Sequence, residues 1–203
     1  MKKLILVRHG LTDWNENGRL MGRSDVELNA RGQTQAERVA QALAPRPIDA
    51  IYSSPQVRAR QTAALLAGAI DIDIVEDIVV EPDFDEVWLS DAWKGKTVSE
   101  LRGGEDLERI IEDPTYRSDA IEPIAEVQAR TVLACERLRE RHAGGTVVVV
   151  SHGDPLRVIV THYLGLELSV FRRLACDNGS VSEIVFNRRG PRLEILNWTP
   201  LPE

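Results

Sequence analysis

Two histidines occupy matching places in this chain, each near the end of an apolar, β-rich run and directly before a glycine. His9 closely follows residues 4–7, and His152 closely follows residues 147–150. Strands of this kind end at the carboxyl edge of a sheet, where open α/β sheets bind ligands. Glycine has no Cβ, so the backbone after each histidine can pass close to a ligand. The pattern predicts one site that holds both imidazoles and the guanidinium of Arg8.

Apolar strands alternate with helical patterns along the chain, and these elements must position the histidines. Strands are predicted at residues 4–7, 50–52, 72–75 and 146–150, and a terminal hairpin at 181–186 and 193–197. Helices are predicted after Asn29 and Pro55, from Ile124 to about 144, and from Pro155 to Leu164. We expect one three-layer α/β/α domain over residues 1–203, with a mainly parallel central sheet. The acidic, irregular stretch at about 81–122 is predicted to be an insertion over the mouth of the site.

Five segments, in order, resemble the signature motifs of the histidine phosphatase superfamily, the clan of phosphoglycerate mutases and histidine acid phosphatases. They read LVRHGLTDWN at 6–15, LNARGQTQA at 28–36, IYSSPQVRARQTA at 51–63, SHG at 151–153 and DNGS at 177–180. A lone Arg-His-Gly tripeptide recurs by chance, so it carries little information. Five ordered matches spread over most of the chain carry much more.

The resemblance implies phosphoryl transfer through a covalent phosphohistidine. It makes His9 the nucleophile, with water releasing the phosphoryl group afterwards. Arg8 and Arg58 would each present a bidentate fork to phosphate oxygens. His152 would stabilise those oxygens from the opposite side. The implied substrate-binding set is completed by Gly153 and by Asn15, although an asparagine near a glycine is also an ordinary turn residue.

The general acid must protonate the leaving alkoxide. The family places a glutamate just after an apolar strand, three residues before an aromatic residue and a glycine. Glu81 fits the first part of that pattern, and Asp85 stands where the glycine is expected. We therefore expect Glu81 to be the acid, with three neighbouring carboxylates as rivals: Asp83, Asp85 and Glu86. Whichever residue acts must be brought towards neutrality by burial.

No metal-ligand spacing occurs in the sequence. It has no H-x-H, no H-E-x-x-H and no cysteine cluster, and Cys135 and Cys176 are its two cysteines. Their spacing predicts neither a disulfide framework nor a structural metal site. We expect no metal and no cofactor, because the arginines supply the positive charge that phosphoryl transfer needs.

A metal-independent hydrolase of a small phosphomonoester is the expected function. A cofactor-dependent phosphoglycerate mutase is the first alternative, but residues 83–93 lack the arginine and tyrosine that such mutases carry after the acid. A regulatory phosphate-binding module is the second, and it would have no need of the nucleophile His9. Arg23 or Lys94 could pair with a second anionic group of the substrate, or could be surface charge.

Composition narrows the partners. The chain has 203 residues, 28% of them charged, and its net charge is −7. This negative charge disfavours binding to nucleic acid or to anionic membrane surfaces. No apolar run approaches the ~20 residues of a membrane span, and the apolar start is too short for a signal peptide. We expect a cytoplasmic protein. Its oligomeric state stays open, with a homodimer as one option.

Overall fold

A six-stranded sheet carries the fold in the computed structural model, which describes residues 1–70 and 78–200. Its strands are β1 (Lys3–Arg8), β2 (Ala50–Ser53), β3 (Ile78–Val80), β4 (Thr146–Ser151), β5 (Val181–Asn187) and β6 (Gly190–Trp198). The order across the sheet is β3-β2-β4-β1-β5-β6. The strand predicted at 72–75 lies outside the described residues.

Strand directions confirm the predicted topology. β3, β2, β4 and β1 pair in parallel, while β5 runs antiparallel to β1 and forms a hairpin with β6. β1 and β4 are neighbours, with Arg8 opposite Ser151. Since parallel strands end at the same edge, the residues that follow Arg8 and Ser151 emerge side by side.

Seven α-helices surround the sheet within the described residues. They are α1 (Asp13–Glu16), α2 (Ala30–Leu43), α3 (Val57–Ala69), α4 (Val98–Leu101), α5 (Glu105–Glu112), α6 (Ile124–Arg141) and α7 (Gly153–Tyr163). Short 3₁₀ helices cover Pro82–Phe84 and Leu168–Arg173. The side chain of Asn29 accepts a hydrogen bond from the Gly32 N–H and so caps α2, as its residue type predicts.

The two faces of the sheet bury different side chains, and this makes three layers. Successive residues of a strand point to opposite faces. Leu4 and Leu6 of β1 pack in a cluster with residues of α6 and α7. Ile5 and Val7 pack in a second cluster with residues of α2 and α3. Burial on both faces explains why β1 and β4 read as continuous apolar runs rather than alternating ones.

The stretch between β3 and α6 has its own small apolar cluster. Val87, Leu89, Ile110 and Ile121 pack there against Ile124 and Val127 of α6, Val158 of α7 and Phe171. An isolated bridge joins Leu89 to Ile121. A second bridge joins Thr97 to Arg19, just after α1. These contacts connect the stretch to the loop that follows the first strand.

Candidate active site

Both histidines emerge at the carboxyl edge of the sheet, as the sequence predicts. The two imidazole rings lie edge to face, with centroids 5.1 Å apart and planes inclined at 62°. His9 is 1% exposed and His152 is fully buried. The His9 backbone N–H donates to the Ser151 carbonyl at 3.0 Å, continuing the β1–β4 ladder into the site. The pairing of two neighbouring strands therefore sets the distance between the imidazoles.

One backbone contact fixes the state of the His9 ring. Its Nδ1 lies 2.7 Å from the Gly10 carbonyl oxygen, which can only accept a hydrogen bond. Nδ1 therefore carries the proton and Nε2 keeps a free lone pair. Burial, followed by the charges of Arg58 and Arg8, lowers the pKa of His9 well below its ordinary value. The neutral imidazole presents Nε2 as a nucleophile.

Arg58 is the largest fully buried side chain in the described structure, at 0% exposure. Its Nε donates to His9 Nε2 at 3.3 Å. Its two terminal nitrogens donate to the carbonyls of Ser24 at 2.7 Å and Gly22 at 2.9 Å. Burial lowers the pKa of Arg58 from its ordinary value, and the charges of Glu86 and Asp85 oppose that effect. A guanidinium is thus held rigidly against the nucleophilic nitrogen.

Arg8 adds a second guanidinium with an unused donor. Its Nη1 donates to the Cys176 carbonyl at 2.6 Å. Its Nε is buried and has no hydrogen-bond partner within the described residues. A buried donor left unpaired costs about 1–3 kcal/mol, so an anion that accepts from it would bind favourably. Gly153 lies beside this group, because a Cβ on it would fall 3.7 Å from Arg8 Nε.

His152 has one nitrogen engaged and one unused. Nε2 lies 2.7 Å from Ser54 Oγ, which in turn lies 3.4 Å from an Asp85 carboxylate oxygen. Nδ1 is buried without a partner in the described part of the chain. Burial, followed by the charge of Arg58, lowers the pKa of His152 well below its ordinary value. The unused nitrogens of Arg8 and His152 mark a place for an anion beside His9.

Asn15 is held in one orientation by its neighbours. Its Oδ1 accepts from the Thr12 backbone N–H at 3.3 Å and from the Asn178 amide at 3.2 Å. Asn178 also donates to the His9 carbonyl at 3.1 Å. Since these bonds engage Oδ1, the Asn15 amide nitrogen remains available to an oxygen of a ligand. The reading of Asn15 as a phosphate contact stays a prediction.

The two glycines of the histidine turns have different surroundings. A Cβ on Gly10 would fall 2.2 Å from the Gly32 carbonyl oxygen, so this glycine is required by close packing of the backbone onto α2. The lack of a Cβ at residue 10 is thus explained by the approach of Gly32, a contact that the sequence analysis did not predict. Gly153 begins α7, whose first-turn N–H groups suit an anion, and it lies beside Arg8.

The carboxylate that lies against His152 belongs to Glu86, one of the rivals named from the sequence. Its Oε2 is 3.9 Å from His152 Nδ1, and its side chain is 18% exposed. Burial, then the charge of Asp154, raises the pKa of Glu86 to about 7, while Arg58 opposes the shift. A carboxyl with this pKa can give and take a proton near neutral pH.

Glu81, the acid expected from the sequence, has other partners. Its carboxylate accepts from the Asp83 backbone N–H at 3.2 Å, which caps the 3₁₀ helix, and from Arg137 of α6 at 3.2 Å. It follows β3, the edge strand of the sheet, and two strands separate β3 from β1. Neighbouring strands lie about 4.8 Å apart, so β3 is about 14 Å from the strand that carries His9. Asp83 binds Arg137 as well, at 2.7 Å.

Sequence reasoning missed several residues that shape the site. Ser54, Thr62 and Asn178 lay within the quoted motifs but were given no role. Thr62 Oγ1 accepts from the Gly10 N–H at 3.1 Å and so fixes the turn after His9. Arg23 and Lys94, proposed for a second anionic group, are paired with carboxylates: Arg23 with Glu122 at 3.0 Å, and Lys94 with Asp91 at 2.8 Å.

The described residues contain neither a candidate metal site nor a membrane-spanning helix. No group of three or more His, Cys, Asp or Glu side chains there has the geometry to hold a metal ion. Across residues 1–70 and 78–200, no helix has the length and apolar character needed to cross a bilayer.

Comparisons with known proteins agree on the family of this chain. Residues 4–199 match the family model of the histidine phosphatase superfamily (branch 1). Phosphoserine phosphatase 1 of Hydrogenobacter thermophilus is 38% identical over 203 residues, covering 98% of this chain and 93% of that protein. A phosphoserine phosphatase mutant of Entamoeba histolytica, solved with phosphoserine, is 30% identical with a TM-score of 0.86 and 97% coverage of both chains. The phosphoserine phosphatase of that organism with 3-phosphoglyceric acid is 31% identical, with a TM-score of 0.87 and 98% coverage of both.

Proposed function

Because the chain belongs to branch 1 of the histidine phosphatase superfamily and is a phosphatase of phosphomonoesters, we propose that His9 carries the phosphoryl group. We further propose that Glu86 moves the leaving-group proton and that phosphoserine is the substrate. The observation that carries the proposal is the state of His9: its Nδ1–H donates to the Gly10 carbonyl, and its Nε2 is unprotonated and faces Arg58.

In the first step, His9 Nε2 attacks phosphorus in line with the leaving oxygen. The N–P bond forms as the P–O bond breaks, and the imidazole becomes a charged phosphohistidine. The loosely held phosphoryl group spreads negative charge over its equatorial oxygens. Arg58, Arg8 Nε and His152 Nδ1 are the donors placed to receive those oxygens. His152 donates from Nδ1 when its Nε2 accepts from Ser54, or when the negative charge of the bound phosphate favours a ring that has taken up a second proton from water.

Glu86 supplies the proton that the departing alkoxide requires. With its pKa raised to about 7, a large fraction of the carboxyl is protonated near neutral pH. Its oxygen lies 3.9 Å from His152 Nδ1, so it borders the place assigned to the phosphoryl group. Glu81 is bound to Arg137 instead. This arrangement supports Glu86 over Glu81 as the acid.

In the second step, the same carboxylate acts as a base. Glu86 is ionised after giving up its proton, and it takes a proton from a water molecule that attacks phosphorus. The P–N bond breaks, inorganic phosphate leaves, and His9 returns to its neutral form. The same residue serves both steps because the leaving oxygen and the attacking water occupy the same position in turn.

Support for phosphoserine comes from relatives. The named curated relative and both named structures are phosphoserine phosphatases, and one structure holds phosphoserine. The test measures phosphate release from phosphoserine, 3-phosphoglycerate and p-nitrophenyl phosphate with EDTA present. We expect a higher kcat/KM for phosphoserine than for 3-phosphoglycerate. We also expect that 3-phosphoglycerate is not isomerised. A higher kcat/KM for 3-phosphoglycerate, or its conversion to 2-phosphoglycerate, would contradict the proposal.

The enzyme is further proposed to act in the cytoplasm. Cys135 and Cys176 are both buried free thiols rather than a disulfide. Burial raises the pKa of the Cys176 thiol above its ordinary value, which keeps it protonated and unreactive. Free buried thiols are typical of proteins from reducing compartments. Fractionation of the source cells tests the location.

A further inference from the structure

A single guanidinium holds the backbone of the segment that carries Glu86. Arg130 lies on α6, and its side chain is 16% exposed. Its Nη1 donates to the carbonyls of Asp83 at 2.7 Å and Asp85 at 2.8 Å. Its Nη2 donates to the Glu86 carbonyl at 3.1 Å. Three backbone oxygens within four residues are therefore fixed by one side chain.

Glu122 holds Arg130 in turn. Its two carboxylate oxygens accept from Arg130 Nε at 2.8 Å and Nη2 at 3.1 Å. Burial alone would raise the pKa of Glu122, but the hydrogen bonds and charge of Arg130 hold it below its ordinary value. With these bonds, all five N–H donors of Arg130 have a partner. Lysine has three donors and no planar fork, so it cannot reproduce the pattern.

The same carboxylate also binds the chain beyond Glu86. Glu122 Oε2 accepts from the Trp88 backbone N–H at 3.0 Å and from Arg23 Nη2 at 3.0 Å. Arg23 Nε donates to the Glu86 carbonyl at 3.0 Å. The backbone is thus held on both sides of Glu86, in a stretch without helix or strand bonds of its own. These contacts offset the conformational entropy that is lost when such a stretch is held in one conformation.

We propose that Arg130 and Glu122 are positioning residues for the general acid, which hold the loop so that the Glu86 carboxylate stays against His152. The inference rests on the proposed role of Glu86. No hydrogen bond or ion pair joins either residue to His9, Arg8, Arg58 or His152 within the described residues. Substitution of either residue should therefore slow catalysis more for a substrate whose leaving group must be protonated than for one whose leaving group is stable as an anion.

The test compares two substrates that differ in that need. The leaving group of phosphoserine is the serine alkoxide, which requires protonation. The leaving group of p-nitrophenyl phosphate is p-nitrophenolate, which is stable without a proton. Arg130→Lys and Glu122→Gln are measured beside wild type, Glu86→Gln and the control Arg137→Ala. Arg137 lies on the same helix and is 44% exposed, but it binds the carboxylates of Glu81 and Asp83 instead of the Glu86 backbone.

For Arg130→Lys and Glu122→Gln, we expect kcat/KM on phosphoserine to fall about tenfold or more. That is part of the ~10²–10⁴-fold that a general acid supplies. On p-nitrophenyl phosphate the change should stay within about threefold, which also shows that the variants are folded. Arg137→Ala should match wild type on both substrates.

Each outcome has a distinct meaning. Equal losses on both substrates in both variants would overturn the inference, because the network would then sustain the fold or the nucleophile. Unchanged kinetics would overturn it as well. If Glu86→Gln itself lacks the leaving-group difference, the proposed acid is wrong. If Arg137→Ala shows that difference instead, the acid is one of the two carboxylates that Arg137 binds, Glu81 or Asp83.

Discussion

The Nδ1 atom of His9 lies 2.7 Å from the carbonyl oxygen of Gly10, and this contact decides which ring nitrogen can attack phosphorus. The carbonyl cannot donate, so the proton sits on Nδ1 and the lone pair on Nε2. Nε2 faces Arg58, whose guanidinium is buried and held by the carbonyls of Gly22 and Ser24. Nucleophile and phosphate anchor are thus placed together before a substrate arrives.

Substitution of the proposed acid should lower kcat/KM much more for a substrate with an alkoxide leaving group than for one with a phenolate leaving group. Glu86→Gln keeps the shape of the side chain but cannot transfer a proton, so kcat/KM on phosphoserine should fall by about 10²-fold or more. On p-nitrophenyl phosphate, kcat/KM should change little, while kcat should fall because Glu86 also activates the water of the second step. Glu81→Gln is the matched control, since it removes a carboxylate bound to Arg137. Phosphate-release assays that gave the larger selective loss in Glu81→Gln would restore the residue expected from the sequence.

The pH dependence of activity should report the titration of Glu86 and not that of His9. The pKa of Glu86 is raised to about 7, and the free enzyme needs this group protonated. kcat/KM on phosphoserine should therefore fall as pH rises through about 7, and the fall should be absent in Glu86→Gln. The pKa of His9 is lowered well below its ordinary value, so the nucleophile stays neutral and active at mildly acidic pH. A loss of activity below pH 6.5 on both substrates would contradict this reading of His9.

The raised pKa of Glu86 should also appear in stability. An unfolded glutamate has an ordinary pKa near 4.5, and the folded value is about 7. The folded state favours the protonated form, so unfolding releases a proton between these values and this group's contribution to stability falls as pH rises from 4.5 to 7. Glu86→Gln should be more stable than wild type at pH 8, by up to about 3 kcal/mol, and the difference should close near pH 4. Urea unfolding at the two pH values measures it, and an equal difference at both would refute the linkage.

Ser54 offers a test of how His152 is held. Ser54→Ala removes the 2.7 Å contact to His152 Nε2. Loss of one such bond costs about 1.4 kcal/mol, or about tenfold in rate. The loss should be equal on aryl and alkyl phosphates, because His152 stabilises the phosphoryl group and not the leaving oxygen. Ser53→Ala is the control, since Ser53 is equally buried and donates to a backbone carbonyl.

The sequence predicted the sheet and the two histidines because long-range pairing left a local trace. β1 and β4 are covered on both faces, so each contains a continuous apolar run that ends two residues before a histidine. Glu86 left no such trace. Pro82 starts a 3₁₀ turn that sends Glu81 towards α6, and Arg130, more than forty residues later, positions the loop after it. The glycine at position 10 was explained by the approach of a ligand, because Gly32, against which its backbone packs, is distant in sequence.

The most direct test of the account is detection of phosphate on His9 during turnover. Wild type is mixed briefly with phosphoserine in EDTA, quenched in alkali and digested, and the peptide containing His9 is examined by mass spectrometry. We expect acid-labile, alkali-stable phosphate on His9 in wild type, more of it in Glu86→Gln with p-nitrophenyl phosphate, and none in His9→Ala, which should also be inactive. Turnover by His9→Ala, or rapid turnover by wild type without phosphate on this peptide, would contradict the account.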